Sequence, residues 1–147
     1  MSVLVAIDGS PPSERVVPWV RRLLAPFNAS LRLLTVVSPA KGAVVGSRRV
    51  AYGHQLEDMQ RASALFRLRW IAMRLDDDGV AAHAEVRFGD PVEAILAAAS
   101  DFRADLIALA VGDGRDLRWW RTSVSEEVLR RAAVPVLCAR RQGQRAG

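Results

Sequence analysis

The amino-acid sequence predicts an α/β domain: a doubly wound, five-stranded parallel sheet with helices on both faces. Three observations lead there. Short, β-branched apolar runs recur along the chain; most of them show no alternation of apolar and polar residues; and segments with helix-start residues or helical spacing separate them. Strands that do not alternate are buried on both faces, which calls for a parallel sheet covered on each side by helices. Right-handed crossovers then wind it in both directions.

The elements follow in order. Val3–Ile7 ("VLVAI") is the first strand, and Ser10 with Pro11 and Pro12 reads as the start of a helix to about Leu24, with a kink expected at Pro18. Leu31–Val37 is the second strand, and residues 39 to 53 read as an irregular connection. From His54 to Asp78 the residues Leu56, Met59, Ser63, Phe66, Trp70 and Met73 recur at three- and four-residue spacing, the stripe of an amphipathic helix ending at Gly79. Ala84–Phe88 is a third, weaker strand. Asp90, Pro91 and Glu93 then make an N-cap, a first helical position and a capping box. Leu106–Val111 is the fourth strand, Ser123 and Glu126 form a second capping box opening a helix to about Ala132, and Pro135–Ala139 is the fifth strand. Residues 1–140 read as one domain and 141–147 as a disordered basic tail.

Composition narrows the class. At 147 residues, half of them apolar, the chain suits one soluble domain with a real core, and no apolar run approaches the ~20 residues of a membrane span. The N-terminus reads as a strand and not a signal peptide, and a single cysteine, Cys138, fits a reducing cytoplasm. The formal charge is +5, almost all of it arginine, with Lys41 the one lysine. The arginines are spread over every segment, often beside acids, whereas a nucleic-acid groove concentrates them. A basic nucleic-acid-binding module therefore stays as the alternative of another class. Asp76, Asp77 and Asp78 lack the alternate spacing of a calcium loop, and His54 and His83 lack partners at zinc spacing, so no metal site is expected. Cys138 reads as a small core residue, and no catalytic set emerges.

Ligands of doubly wound sheets bind at the carboxyl ends of the strands, where strand order reverses. Asp8, Val37 and the loop after Val111 lie there, as candidates for one shared site. At this point the sequence resembles the universal stress protein family. The resemblance rests on "VLVAIDGSPPSERVVPWV", "LRLLTVVSP", "GDPVEAILAAASDFRADLIALA" and "SVSEEVLRRAAVPVLCAR", and covers nearly the whole chain. It implies a Rossmann-like fold of nucleotide-binding type and a cytoplasmic, regulatory role with a protein partner that the sequence does not name. It also implies a homodimer through the last strand, at Val134, Pro135, Val136, Leu137, Cys138 and Ala139.

Members of the family that bind ATP carry a glycine signature: glycine, two residues, glycine, nine residues, then glycine before serine or threonine. Glycines let backbone approach the phosphates, and the next helix offers free N–H groups. This sequence departs from the signature. Counted back from Ser123 and Val124, the glycine positions hold Thr122, Gly112 and Leu109; aligned from Asp105, the first two hold Ala110 and Asp113. At most one glycine of three survives in either register. The resemblance places Asp8 facing the base and sugar, Val37 beside the adenine, and Gly112, Gly114, Thr122, Ser123, Val124 and Ser125 around the phosphates. The expectation is a protein that binds ATP weakly or not at all, with room for a smaller adenine nucleotide. The alternative is an ATP binder, at most a slow ATPase, whose remodelled loop uses Arg118 and Arg121 as guanidinium clamps. Trp119 and Trp120 are expected to serve core or dimer packing.

Overall fold

The structure, a computed structural model, describes residues 1–9, 11–38, 47–110 and 122–140, with the backbone alone considered at 11, 12, 47–54, 122 and 123. Five strands form one sheet: β1 (Ser2–Ala6), β2 (Ser30–Val37), β3 (Ala82–Phe88), β4 (Leu106–Ala110) and β5 (Val136–Ala139). Their order is β3-β2-β1-β4-β5 and every pairing is parallel. The intervening helices are α1 (Val16–Leu24), α2 (Ser47–Asp77), α3 (Pro91–Phe102) and α4 (Thr122–Arg131). A 3-10 turn, Pro11–Arg15, leads into α1.

The unalternating strands split their side chains between two cores. Val3, Val5 and Ile7 point to one face, where Val16, Val20 and Leu24 of α1 and Leu68, Ala72 and Leu75 of α2 cover them. Leu4 and Ala6 point to the other, beneath Val92 and Ile95 of α3 and Val124 and Val128 of α4. Leu4, Leu33, Ile107 and Leu109 are essentially removed from water, each worth roughly 1.5–3 kcal/mol relative to exposure.

Three local expectations change. The first helix begins not at Ser10 but at Val16, after the 3-10 turn, and its N-cap Arg15 makes no side-chain capping bond; Ser10 lies outside the described residues. Pro18 thereby falls in the first turn of α1, where an N–H has no intrahelical partner to lose, so the reason for an interior kink disappears. Residues 47 to 53, read as connection, are the first two turns of α2; arginine and alanine favour helix, and Gly53 inside it costs only about 1 kcal/mol.

The third change is the rotation of α2. An amphipathic stripe ordinarily faces the core, but this one is on the outside: Leu56, Met59, Phe66, Trp70 and Met73 are all exposed. The sheet instead receives Leu68, Ala72 and Leu75, with Ile71 half-buried beside them. Spacing identifies an apolar stripe but not its partner, and α2 has two stripes on opposite sides. Polar anchors hold the observed rotation: Arg67 Nε donates to Glu14 Oε1, and the Arg61 guanidinium lies 4.7 Å from the centre of the Phe88 ring.

The N-cap of α3 is as the sequence predicts. Asp90 is extended, with Pro91 next, and its carboxylate accepts from the Glu93 N–H at 3.4 Å. The Glu93 carboxylate pairs with Arg131 of α4 at 2.7 Å, a bond across helices that holds its carboxyl below the usual range. Asp90→Ala is expected to lower stability by about 1 kcal/mol, read as a shifted urea midpoint at unchanged slope.

Candidate functional site

Strands β1, β2 and β3 wind toward one edge of the sheet, while β4 and β5 continue to the other, so strand order reverses between β1 and β4. The crevice outside their carboxyl ends is where a doubly wound sheet takes its ligand. Asp8 and Gly9 leave β1 into this crevice. Ala6 pairs with Leu34, so the same register brings Asp8 level with Val36, next to Val37 at the end of β2. The Val37 carbonyl accepts from the Gly89 N–H at 3.1 Å, tying the end of β2 to the turn after β3. Asp8 and Val37 are both half-buried.

Ser13 positions Asp8. Its side chain is buried, and its Oγ accepts from the Asp8 N–H at 3.2 Å. The signal was a hydroxyl five residues after the acid. Gly9 turns the chain with φ +86, a left-handed conformation that side chains disfavour.

The other wall is α4. Because β4 and β5 are parallel, α4 runs back against them, with its amino end and positive dipole at the carboxyl edge. Thr122 is its first residue, so Ser123 stands within the first turn and not before it, and the helix begins two residues ahead of the expected start at Val124. Helix ends are set by backbone hydrogen bonds as much as by residue type, which leaves a boundary open by a residue or two. The Val124 side chain belongs to the core, leaving its backbone N–H as what it can offer a ligand. Ser125 is 2% exposed, and its Oγ has no hydrogen-bond partner among the described residues. Gly112, Gly114, Arg118 and Arg121, with Trp119 and Trp120, lie outside the described residues.

The register question gains a constraint. Leu109 is wholly buried within β4, paired with Ala6 and Cys138, while Ala110 is the last residue of that strand. A backbone approaching a phosphate has to leave the sheet first, which Ala110 is placed to do and Leu109 is not.

Much of the arginine is engaged within the chain. Arg87 bonds Glu85 and Asp101, each at 2.9 Å, Arg32 reaches Glu85 at 3.4 Å and lies over the Phe102 ring, and Arg21 meets Asp78 at 2.7 Å. Asp76, Asp77 and Asp78 form an exposed helix end, and no cluster of metal-ligating side chains occurs among the described residues. An open groove of about 780 Å³ lies elsewhere, between α1 and the end of α2, with Arg21, Arg22, Pro18 and Ile71 in its walls. Neither Asp8 nor Val37 lines it. No helix among the described residues is long and apolar enough to cross a membrane.

Fold and crevice together define a doubly wound α/β domain of Rossmann-like, nucleotide-binding type. Within that class the chain belongs to the universal stress protein family, whose model matches residues 1–140. Solved structures agree on the fold. A universal stress protein, UspA, from Lactobacillus plantarum superposes with a TM-score of 0.80 at 21% identity, covering 95% of this chain and 97% of that one. A family member from Arabidopsis thaliana, solved with AMP bound, gives 0.67 at 21% identity over 100% and 96% of the two chains. A universal stress protein in complex with cAMP gives 0.65 at 24% identity over 97% and 98%. Among curated proteins none matches this chain significantly.

Two outcomes check the site's supports. Among the described residues no atom beyond the chain neighbours lies within 4 Å of a Cβ built on Gly9, so the cost of Gly9→Ala is conformational, and it is expected to lose about 1–2 kcal/mol in urea unfolding. Burial raises the Cys138 thiol above the ordinary thiol range, with Arg140 pulling partly back. Iodoacetamide should therefore label native Cys138 slowly at neutral pH, the rate climbing until the pH passes that raised value and matching a free thiol only after denaturation.

Proposed function

We propose that the chain is a non-enzymatic regulatory or binding protein of the stress response that holds ATP weakly or not at all and accepts a smaller adenine nucleotide. The observation that carries this reading is Thr122 as the opening residue of α4. The last glycine of the family's ATP signature falls there, where backbone comes closest to phosphate. A β-branched residue adds bulk and stiffness at that point. With Ala110 ending β4, one glycine, Gly112, is left of the signature, and that only in the register counted back from Ser123.

The base end supports the nucleotide part of the proposal. Asp8, held by Ser13, would take the ribose or base, and Val37 would pack on the adenine. The amino end of α4, with Ser123 and the Ser125 hydroxyl, which has no partner among the described residues, would take a single phosphate. Two of the family structures above were solved with mononucleotides, AMP and cAMP. The same reading takes β5 as a homodimer contact. It is an edge strand whose side chains divide between the two cores, Val136 and Cys138 to one and Leu137 and Ala139 to the other. Its open backbone edge is what a second copy would pair with. A cytoplasmic setting accords with the lone thiol.

Titration calorimetry with ATP, AMP and cyclic AMP, with and without magnesium, tests the proposal. The expected result is saturable heat with AMP or cyclic AMP, lost in Asp8→Ala, and none with ATP. Tight ATP binding that disappears in the Arg118→Ala, Arg121→Ala double variant would replace it with the arginine-clamp reading.

A further inference from the structure

The outward stripe of α2 is unexplained by anything above. Leu56, Ser63 and Trp70 repeat every seven residues, as do Met59, Phe66 and Met73, three residues after each. These are the a and d positions of a heptad, sustained over eighteen residues. At 100° per residue they fill an arc about as wide as one helix–helix seam, opposite the arc of Leu68, Ile71, Ala72 and Leu75 that packs on the sheet. The five large members are 49–76% exposed, against a core whose leucines are nearly dry. Together they present on the order of 500 Å² of apolar surface, at the size where patches on soluble monomers mark a contact.

We propose that this seam is where two copies of the chain pair, α2 against α2 in antiparallel orientation about a two-fold axis near Ala64 and Leu65. Three arguments converge on a second copy. The first is layer by layer. Antiparallel a-to-d packing sets Leu56 against Met73, Met59 against Trp70 and Ser63 against Phe66 of the second copy, so each bulky ring meets a smaller or pliant side chain. The second is charge. In a parallel pair the flanking positions would set Arg69 against Arg74 of the second copy, twice over. The antiparallel pair removes both repulsions and brings Arg69 alongside Asp58 of the second copy on the same flank. Arg69, Arg74 and Asp58 are exposed and take part in none of the ion pairs found among the described residues. The third is area. Two such seams bury about 1,000 Å² of apolar surface before the flanking side chains count, the least a specific dimer requires.

A bilayer is the less suitable occupant. Asp77 continues the line of Leu56, Ser63 and Trp70, and Asp58 flanks the other end, so anionic lipid would meet carboxylates at both ends of the stripe. The seam also lies over β2 and β3, at the far side of the sheet from the β5 edge. Pairing through α2 and pairing through β5 therefore do not compete, and a chain using both would assemble beyond a dimer.

Sedimentation velocity on the wild type and on Phe66→Glu and Trp70→Glu tests this. Both residues are exposed in the single chain, so the variants should keep the wild-type circular dichroism spectrum. The expected result is that the wild-type mass halves in each variant, whether from dimer to monomer or from tetramer to dimer. Orientation is read in a Cys138→Ala background by mixing the Leu56→Cys and Met73→Cys proteins under mild oxidation. Covalent dimers should form in the mixture and not in either protein alone. A wild type that is monomeric throughout, a mass unchanged by either glutamate, or cross-linking within Leu56→Cys alone overturns the proposal. So does a monomeric wild type that co-sediments with phosphatidylserine vesicles and loses that binding in Phe66→Glu, which would give the stripe to a membrane.

Discussion

β1 has water on neither face, and the rest of the molecule follows from that constraint. A parallel strand in the middle of a sheet sends successive side chains into opposite layers, so both layers must be dry before its backbone can be satisfied. Val3 and Val5 require α1 and α2 on one side; Leu4 and Ala6 require α3 and α4 on the other. Once helices flank both faces, the crossovers have to reverse direction at β1, and that reversal opens the crevice beside Asp8. The candidate site is thus a geometrical consequence of how the core is covered.

Within the crevice, precision comes from polar groups turned inward. Ser13 is buried to take one N–H from the turn after β1, and Gly9 accepts a left-handed conformation so that this turn can be made at all. At α4 the balance differs. Its amino end keeps the helix dipole, but the residue that begins it is threonine, and Ser125 carries a buried hydroxyl with no partner among the described residues.

Much of this was legible in the residues. Four of the five strands are identifiable from mostly apolar runs and β3 more weakly from an alternating one, and the α3 start from Asp90, Pro91 and Glu93, because those signals act over a few residues and need no distant partner. Asp8 and Val37 could be placed at one edge from topology alone. Ser13 was not, since its role depends on a backbone N–H brought to it by a turn. Glu93, read as half of a capping box, uses its carboxylate on Arg131, a partner thirty-eight residues away that only the packing of α3 on α4 supplies.

The sequence by itself determined that this is a doubly wound α/β domain, because burial on both faces is a property of local residue pattern. Tertiary structure alone decided which side of α2 faces the sheet. Both of its stripes have helical spacing, and the larger residues made the outer one look like core. The choice went to the face where Ala72 permits close approach and where Arg67 and Arg61 reach Glu14 and Phe88. Periodicity measures how apolar residues are arranged around one helix; what they pack against depends on surfaces far along the chain.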